Sequence, residues 1–145
     1  MVDFNFSLDK VLKVREIREN QAQNKFLQAK KEQKQIKNKL EQTAESQKKL
    51  YNFVRKNDLN LEESIQARNY LFSNRKRINN MEKQLYEQKK EVEKKQKNML
   101  KKTKKRQVLE ELKQKEYSKF YRNLLFKEQK QIDELTQRME SRVEL

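Results

Sequence analysis

The chain contains no glycine, no proline, no cysteine, no histidine and no tryptophan in 145 residues. A soluble domain of this length ordinarily carries roughly 10 Gly and 7 Pro. Turns of types II, I′ and II′ need a positive φ, which glycine usually supplies. A many-turned β-sandwich, β-barrel or doubly wound α/β fold is therefore excluded. Phosphate-cradling loops of the Walker or Rossmann type need glycine for close backbone approach, so none can form. Zinc and haem sites lean on Cys and His, which are absent. No disulfide framework is possible.

Long apolar runs are missing too. The longest, Tyr70-Leu71-Phe72 and Leu124-Leu125-Phe126, hold three residues each. A membrane-spanning helix needs about 20. The N-terminus has no basic segment followed by an apolar stretch, so no signal peptide is visible and a cytoplasmic protein is expected.

What remains is helix-forming. Ala, Glu, Lys, Leu and Arg make up about half of the chain, the composition of long helices and coiled coils. Leu, Ile, Val and Phe make up about a quarter, enough for a narrow apolar seam but not for a thick core. The formal net charge is +15, from 37 Lys and Arg against 22 Asp and Glu. Such an excess points to acidic partners: nucleic acid, anionic lipid or an acidic protein surface.

The periodicity predicts two helices. The first runs over about 7–56, with Ser7 as N-cap, Asp9 in the first turn and a Phe6/Val11 staple. Leu12, Phe26, Leu40 and Val54 form one heptad row; Leu8, Ala22, Ile36 and Leu50 form the other. Polar layers with Arg15, Glu19, Gln33, Thr43 and Gln47 dilute the seam. A turn at 57–60 uses Asn57, Asp58 and Asn60, since Asn and Asp tolerate the left-handed region and form Asx-turns. Asn60 and Glu63 have capping-box spacing and open a second helix over about 61–140. Its main row is Leu71, Ile78, Leu85, Val92 and Met99; the companion row is weak, with Met81 its best member. Val108, Leu109 and Leu112 continue the stripe, and the last residues, Ser141 to Leu145, are expected to fray.

The two helices can be laid against each other. With facing residue numbers summing to about 120, Leu50 meets Leu71, Ile36 meets Leu85 and Ala22 meets Met99. Val54 then meets Ile65, Leu12 meets Val108 and Leu8 meets Leu112. The expected fold is all-α: an antiparallel two-helix coiled-coil hairpin with a longer C-terminal helix, one elongated domain over 1–145. The first arm would be roughly 70 Å long at ~1.5 Å per residue. About 25–30 C-terminal residues would project beyond it, rich in apolar side chains that need a cover.

Three groups of residues stand out. Lys94, Lys95, Lys97, Lys101, Lys102, Lys104, Lys105 and Arg106 form a basic contact patch with no acid in the run. A solvated face explains it as well as a contact does. A protein contact ranks above nucleic acid, because no RRM, zinc-finger or helix-turn-helix pattern accompanies it. Tyr51, Phe53, Tyr70 and Phe72 flank the turn and form either a docking patch or a packed end-plug. Asp58, Glu62 and Glu63 cluster at the turn, where capping explains them better than acid/base chemistry does. No catalytic, cofactor or metal site is expected, and an enzyme is not expected.

The run Phe4-Asn-Phe-Ser-Leu-Asp-Lys-Val-Leu-Lys-Val-Arg-Glu-Ile-Arg-Glu resembles the opening of the FliJ family of the bacterial flagellar export apparatus. The segment from Leu109 through Glu134 is also similar, with Glu110, Leu112, Lys115, Phe120 and Lys127-Glu-Gln-Lys-Gln-Ile-Asp-Glu. So is Ala67-Arg-Asn-Tyr70-Leu-Phe72 after the turn. The resemblance covers nearly the full chain. It implies a non-enzymatic cytoplasmic coiled coil, similar to the γ stalk of rotary ATPases, at the cytoplasmic face of the inner membrane. The implied partners are the hexameric flagellar export ATPase, the export-gate membrane protein and export chaperones. Under it, Phe4, Phe6, Phe120 and Leu124 are expected to bind the ATPase, and Tyr51, Phe53, Tyr70 and Phe72 the gate. A basic coiled coil binding nucleic acid and a self-associating structural spacer are the alternatives.

Overall fold

The computed structural model describes residues 3–143 and is all-α among them. Two helices, α1 (Asp9–Lys56, 48 residues) and α2 (Leu61–Val143, 83 residues), pack against each other. Charges at their ends complement the helix dipoles. Asp9 opens α1, and Arg55 and Lys56 close it; Glu62 and Glu63 open α2, and Arg142 lies in its last turn.

The connection is short and works through asparagine side chains. Asn60 Oδ1 accepts a 2.7 Å hydrogen bond from the Glu63 amide, and the Asn60 carbonyl accepts one from Ser64, so Asn60 caps α2. The Asn57 amide and its Nδ2 both donate to the Phe53 carbonyl, which closes α1. No described residue has a positive φ. Of the two devices expected of the Asn and Asp residues, the left-handed conformation is not used and the side-chain hydrogen bond is.

The start of α1 also departs from expectation. Ser7 is exposed and lies in a turn, closed by the Asp9 amide on the Phe6 carbonyl. The first helical bond runs from the Leu12 amide to the Leu8 carbonyl, so Leu8 holds the cap position. Val11 is 41% exposed and forms no staple: Phe6 is buried against Leu12 and Leu109 instead. At the other end α2 continues to Val143 where fraying was expected; Glu144 and Leu145 lie outside the described residues.

Contacts divide the chain into two compact units. One holds the residues up to Glu19 and those from Lys101 onward; the other is Asn20–Leu100. In each, a stretch of α1 lies against a stretch of α2 running the opposite way.

In the Asn20–Leu100 unit, the buried and half-buried positions alternate by three and four, as a heptad seam requires. Ala22, Phe26, Ala29, Ile36, Leu40, Leu50 and Val54 come from α1, and Leu71, Ile78, Met81, Leu85, Val92 and Met99 from α2. The weak companion row is Ala67, Asn74, Met81, Gln88 and Lys95, with Asn74 only 3% exposed. Ala67 takes the seam place that the pairing with Val54 gives to Ile65, which is 50% exposed. Polar seam residues bond across the helix pair. Gln47 Nε2 donates to the Leu71 carbonyl at 3.1 Å, and Gln88 Nε2 donates to the Ala29 carbonyl at 3.0 Å.

In the other unit, Phe6, Leu12 and Leu109 form the buried cluster, with Phe4 packed on it. Val108, expected opposite Leu12, is 60% exposed, and Leu112 also faces outward. The reason is that the heptad of α2 runs on unchanged past Met99, while the apolar residues of the sequence drift out of it. From Met99 the seam passes through Lys102, Arg106, Leu109, Lys113, Glu116 and Phe120 at the same spacing of three and four, and Val108 and Leu112 fall outside it. The carboxylate of Glu19 is buried and accepts hydrogen bonds from Arg106 Nε and, at 3.3 Å, from the Thr103 hydroxyl. Arg106 Nη1 also reaches Glu110 Oε2 at 2.6 Å. Two charged residues thus fill one seam layer by pairing, which a buried charge requires.

Candidate partner-binding surfaces

The terminal aromatic group is built by packing the extended residues before α1 onto α2. The Phe4 ring meets Tyr117 edge-on at 5.2 Å and Phe120 at 5.5 Å, and Tyr117 stacks on Tyr121 at 6.5 Å. Phe4, Phe120 and Leu124 are half-buried and keep part of their surface open. Phe6 differs. At 4% exposure its ring fills the core and presents no contact surface; its role is to anchor the residues ahead of α1. Tyr117, not assigned to a partner contact from the sequence, is central to the cluster. Its spacing of three from Phe120 and four from Tyr121 was the available signal. An open groove of about 670 Å³ runs beside it, lined by Phe4, Leu12, Glu110, Lys113 and Tyr117.

Beyond Leu124 every described residue of α2 is exposed. Leu125, Ile132, Leu135 and Met139 recur at seam spacing, with exposures from 46% to 68%. This is the apolar face of a helix with no second helix against it among the described residues.

Near the connection, Tyr51, Phe53, Tyr70 and Phe72 are all more than half exposed. An end-plug is therefore not what they form. Phe53 and Tyr70 line one groove of about 860 Å³ together with Leu50, Leu59 and Ala67. Tyr51 and Phe72 do not line it; the Phe72 ring instead lies 5.0 Å from Lys76 Nζ in a cation–π contact. The structure brings two of the four together and adds Leu59, which the sequence did not single out.

The basic run splits by face. Lys95, Lys102 and Arg106 lie on the seam side and are half-buried; Lys95 pairs with Glu91 at 3.5 Å, and Arg106 with Glu19 and Glu110. Lys94, Lys97, Lys101, Lys104 and Lys105 are exposed. Five of the eight are thus available to a partner, and Arg106 is a structural residue.

The electrostatics follow these contacts. Hydrogen bonds from Arg106 to Glu19 and then Glu110 raise its pKa and hold the guanidinium charged. Asp9 is lowered from the ordinary carboxylate value, chiefly by the hydrogen bond from Lys113, with Lys13 adding to it and desolvation opposing it. Among the described residues there is no group of three or more acidic side chains placed to hold a metal ion. No described helix is long and apolar enough to cross a membrane.

No curated protein and no solved structure matches the chain. The profile of the flagellar FliJ protein family matches residues 4–144, nearly the whole chain, and the chain belongs to that family.

Proposed function

We propose that this protein is a non-enzymatic stalk of the flagellar export apparatus. In this reading it binds the hexameric export ATPase, couples it to the transmembrane export gate and assists export chaperones at the cytoplasmic face of the inner membrane. Family membership supplies the coarser statement: the chain is a component of flagellar protein export. The observation that carries the finer one is the exposed stripe Leu125, Ile132, Leu135 and Met139, continuous with the Phe4–Tyr117–Phe120 cluster. An apolar helix face of this kind is stabilised when a partner covers it. We assign Phe4, Phe120 and Leu124 to the ATPase contact, with Phe6 supporting them from the core. We assign the groove of Phe53 and Tyr70 to the gate, with Tyr51 and Phe72 on its margins.

The test is binding with two variants. Phe120→Ala with Leu124→Ala should weaken retention on the immobilised ATPase and leave binding to the cytoplasmic part of the gate protein intact. Phe53→Ala with Tyr70→Ala should do the reverse. Wild-type protein that binds neither partner would remove the proposal, and loss of both interactions in both variants would remove the assignment of surfaces.

A further inference from the structure

The unbroken seam of α2 leaves two aliphatic side chains unexplained. Val108 is 60% exposed and Leu112 is 37% exposed, both outside the seam. They lie in a row of lysines. Within the unit that starts at Lys101, the positions Lys101, Lys104, Lys105, Lys115 and Lys119 follow each other with Val108 and Leu112 between them. The spacing of three and four residues puts all seven on one side of α2. Each of the five lysines is exposed, and none forms an ion pair among the described residues. The basic residues on the opposite side, Arg106 and Lys113, are taken up by Glu19, Glu110 and Asp9. Glu111 and Glu116 stand on the flanks of the row.

From this arrangement we infer that the outward face of α2 over residues 101–119 docks on an anionic lipid surface. The row is straight over about 27 Å at ~1.5 Å per residue, so its charges can meet a plane together. Lysines are mobile point charges that suit many diffuse headgroups, whereas arginine forks suit fixed bidentate sites. Two short aliphatic side chains amid cations match the headgroup boundary, where apolar groups enter a few ångströms while ammonium groups stay at the surface. Single-stranded nucleic acid would call for aromatic side chains between the cations, and this row has none. Each lysine at an anionic membrane surface strengthens partition roughly fivefold, so five acting together give an affinity that salt weakens strongly.

The experiment is co-sedimentation of the full-length protein with vesicles of phosphatidylcholine alone or mixed with phosphatidylglycerol. It contains no export protein, so its outcome is independent of the stalk reading. Binding is expected only to the mixed vesicles and should fall as salt rises. Replacing Lys101, Lys104, Lys105, Lys115 and Lys119 with Gln should weaken it on the order of a thousandfold at low salt. Replacing the exposed α1 lysines Lys31, Lys34, Lys37, Lys39 and Lys48 with Gln removes the same charge and should cost far less. Val108→Gln with Leu112→Gln should remove the binding that survives at high salt. No binding to mixed vesicles, or equal losses in the two lysine sets, would overturn the inference. So would tighter binding to single-stranded RNA than to the mixed vesicles, which would assign the row to nucleic acid.

Discussion

Replacing Arg106 with Leu should destabilise the protein more than replacing its partner Glu19 does. Glu19 has a side chain only 9% exposed, and it accepts from Arg106 Nε and the Thr103 hydroxyl. Arg106→Leu leaves that carboxylate buried with its cation gone. Stranding one member of a well-buried ion pair costs about 3–5 kcal/mol. Here the seam is a single helix pair thick and Arg106 is 22% exposed, so water reaches part of the charge. A figure of about 2 kcal/mol is the appropriate one, equivalent to a fall in Tm of about 4–8 °C for a chain of this size. Glu19→Leu is milder, because Arg106 keeps Glu110 at 2.6 Å. The double variant with Leu at both positions should return to within about 1 kcal/mol of the wild type, or exceed it. Urea unfolding followed by far-UV circular dichroism gives all four corners of the cycle. If Arg106→Leu matches the wild type, or falls no further than the double variant, Glu19 and Arg106 are not coupled as described.

Three further outcomes follow from individual contacts. Asn60→Ala removes the side-chain acceptor of the Glu63 amide and should cost about 1 kcal/mol in urea unfolding. Asn74→Leu replaces a polar residue at 3% exposure in a coiled-coil seam and should raise the unfolding midpoint, the usual trade of specificity for stability. Asp9 has a lowered pKa in the folded protein. Its contribution is therefore present above the unfolded carboxylate pKa near 4 and is lost as pH falls through the lower folded value. Acid unfolding of Asp9→Asn should lack that part of the pH dependence: the variant is less stable than wild type near neutral pH, and the difference vanishes once the pH falls below the folded value of Asp9.

Much of the helical architecture was legible because it rests on period and on absent residues. With no Gly or Pro to stop them, the rows through Leu40 and Ile36 and through Leu71 and Val92 define their own seam. The stretch after Met99 was not legible. Val108, Leu109 and Leu112 offer two competing stripes, and hydrophobicity alone prefers the one with two members. The structure takes Leu109, which stays in the heptad of Leu71 to Met99, and the same register brings Arg106 to the buried carboxylate of Glu19. Glu19 reads in the sequence as dilution of the seam, and in the structure it is a buried partner of Arg106 and Thr103. Ser7 reads as the better cap, but burying Phe6 fixes the turn before Asp9 and leaves Ser7 outside. The candidate surfaces divide on similar grounds. Aromatic content near the turn marks the region, while the groove that selects Phe53 and Tyr70 over Tyr51 and Phe72 depends on Leu59 and Ala67, which no motif flags.

The central claim is that this protein acts as a stalk for the export ATPase. Its most direct test is the ATP turnover of the purified hexameric ATPase as the protein is titrated in. The account predicts a rise in turnover that saturates near one chain per hexamer and is lost in Phe120→Ala with Leu124→Ala. Turnover that is unchanged at saturating protein, or a rise that the double variant matches, would contradict it.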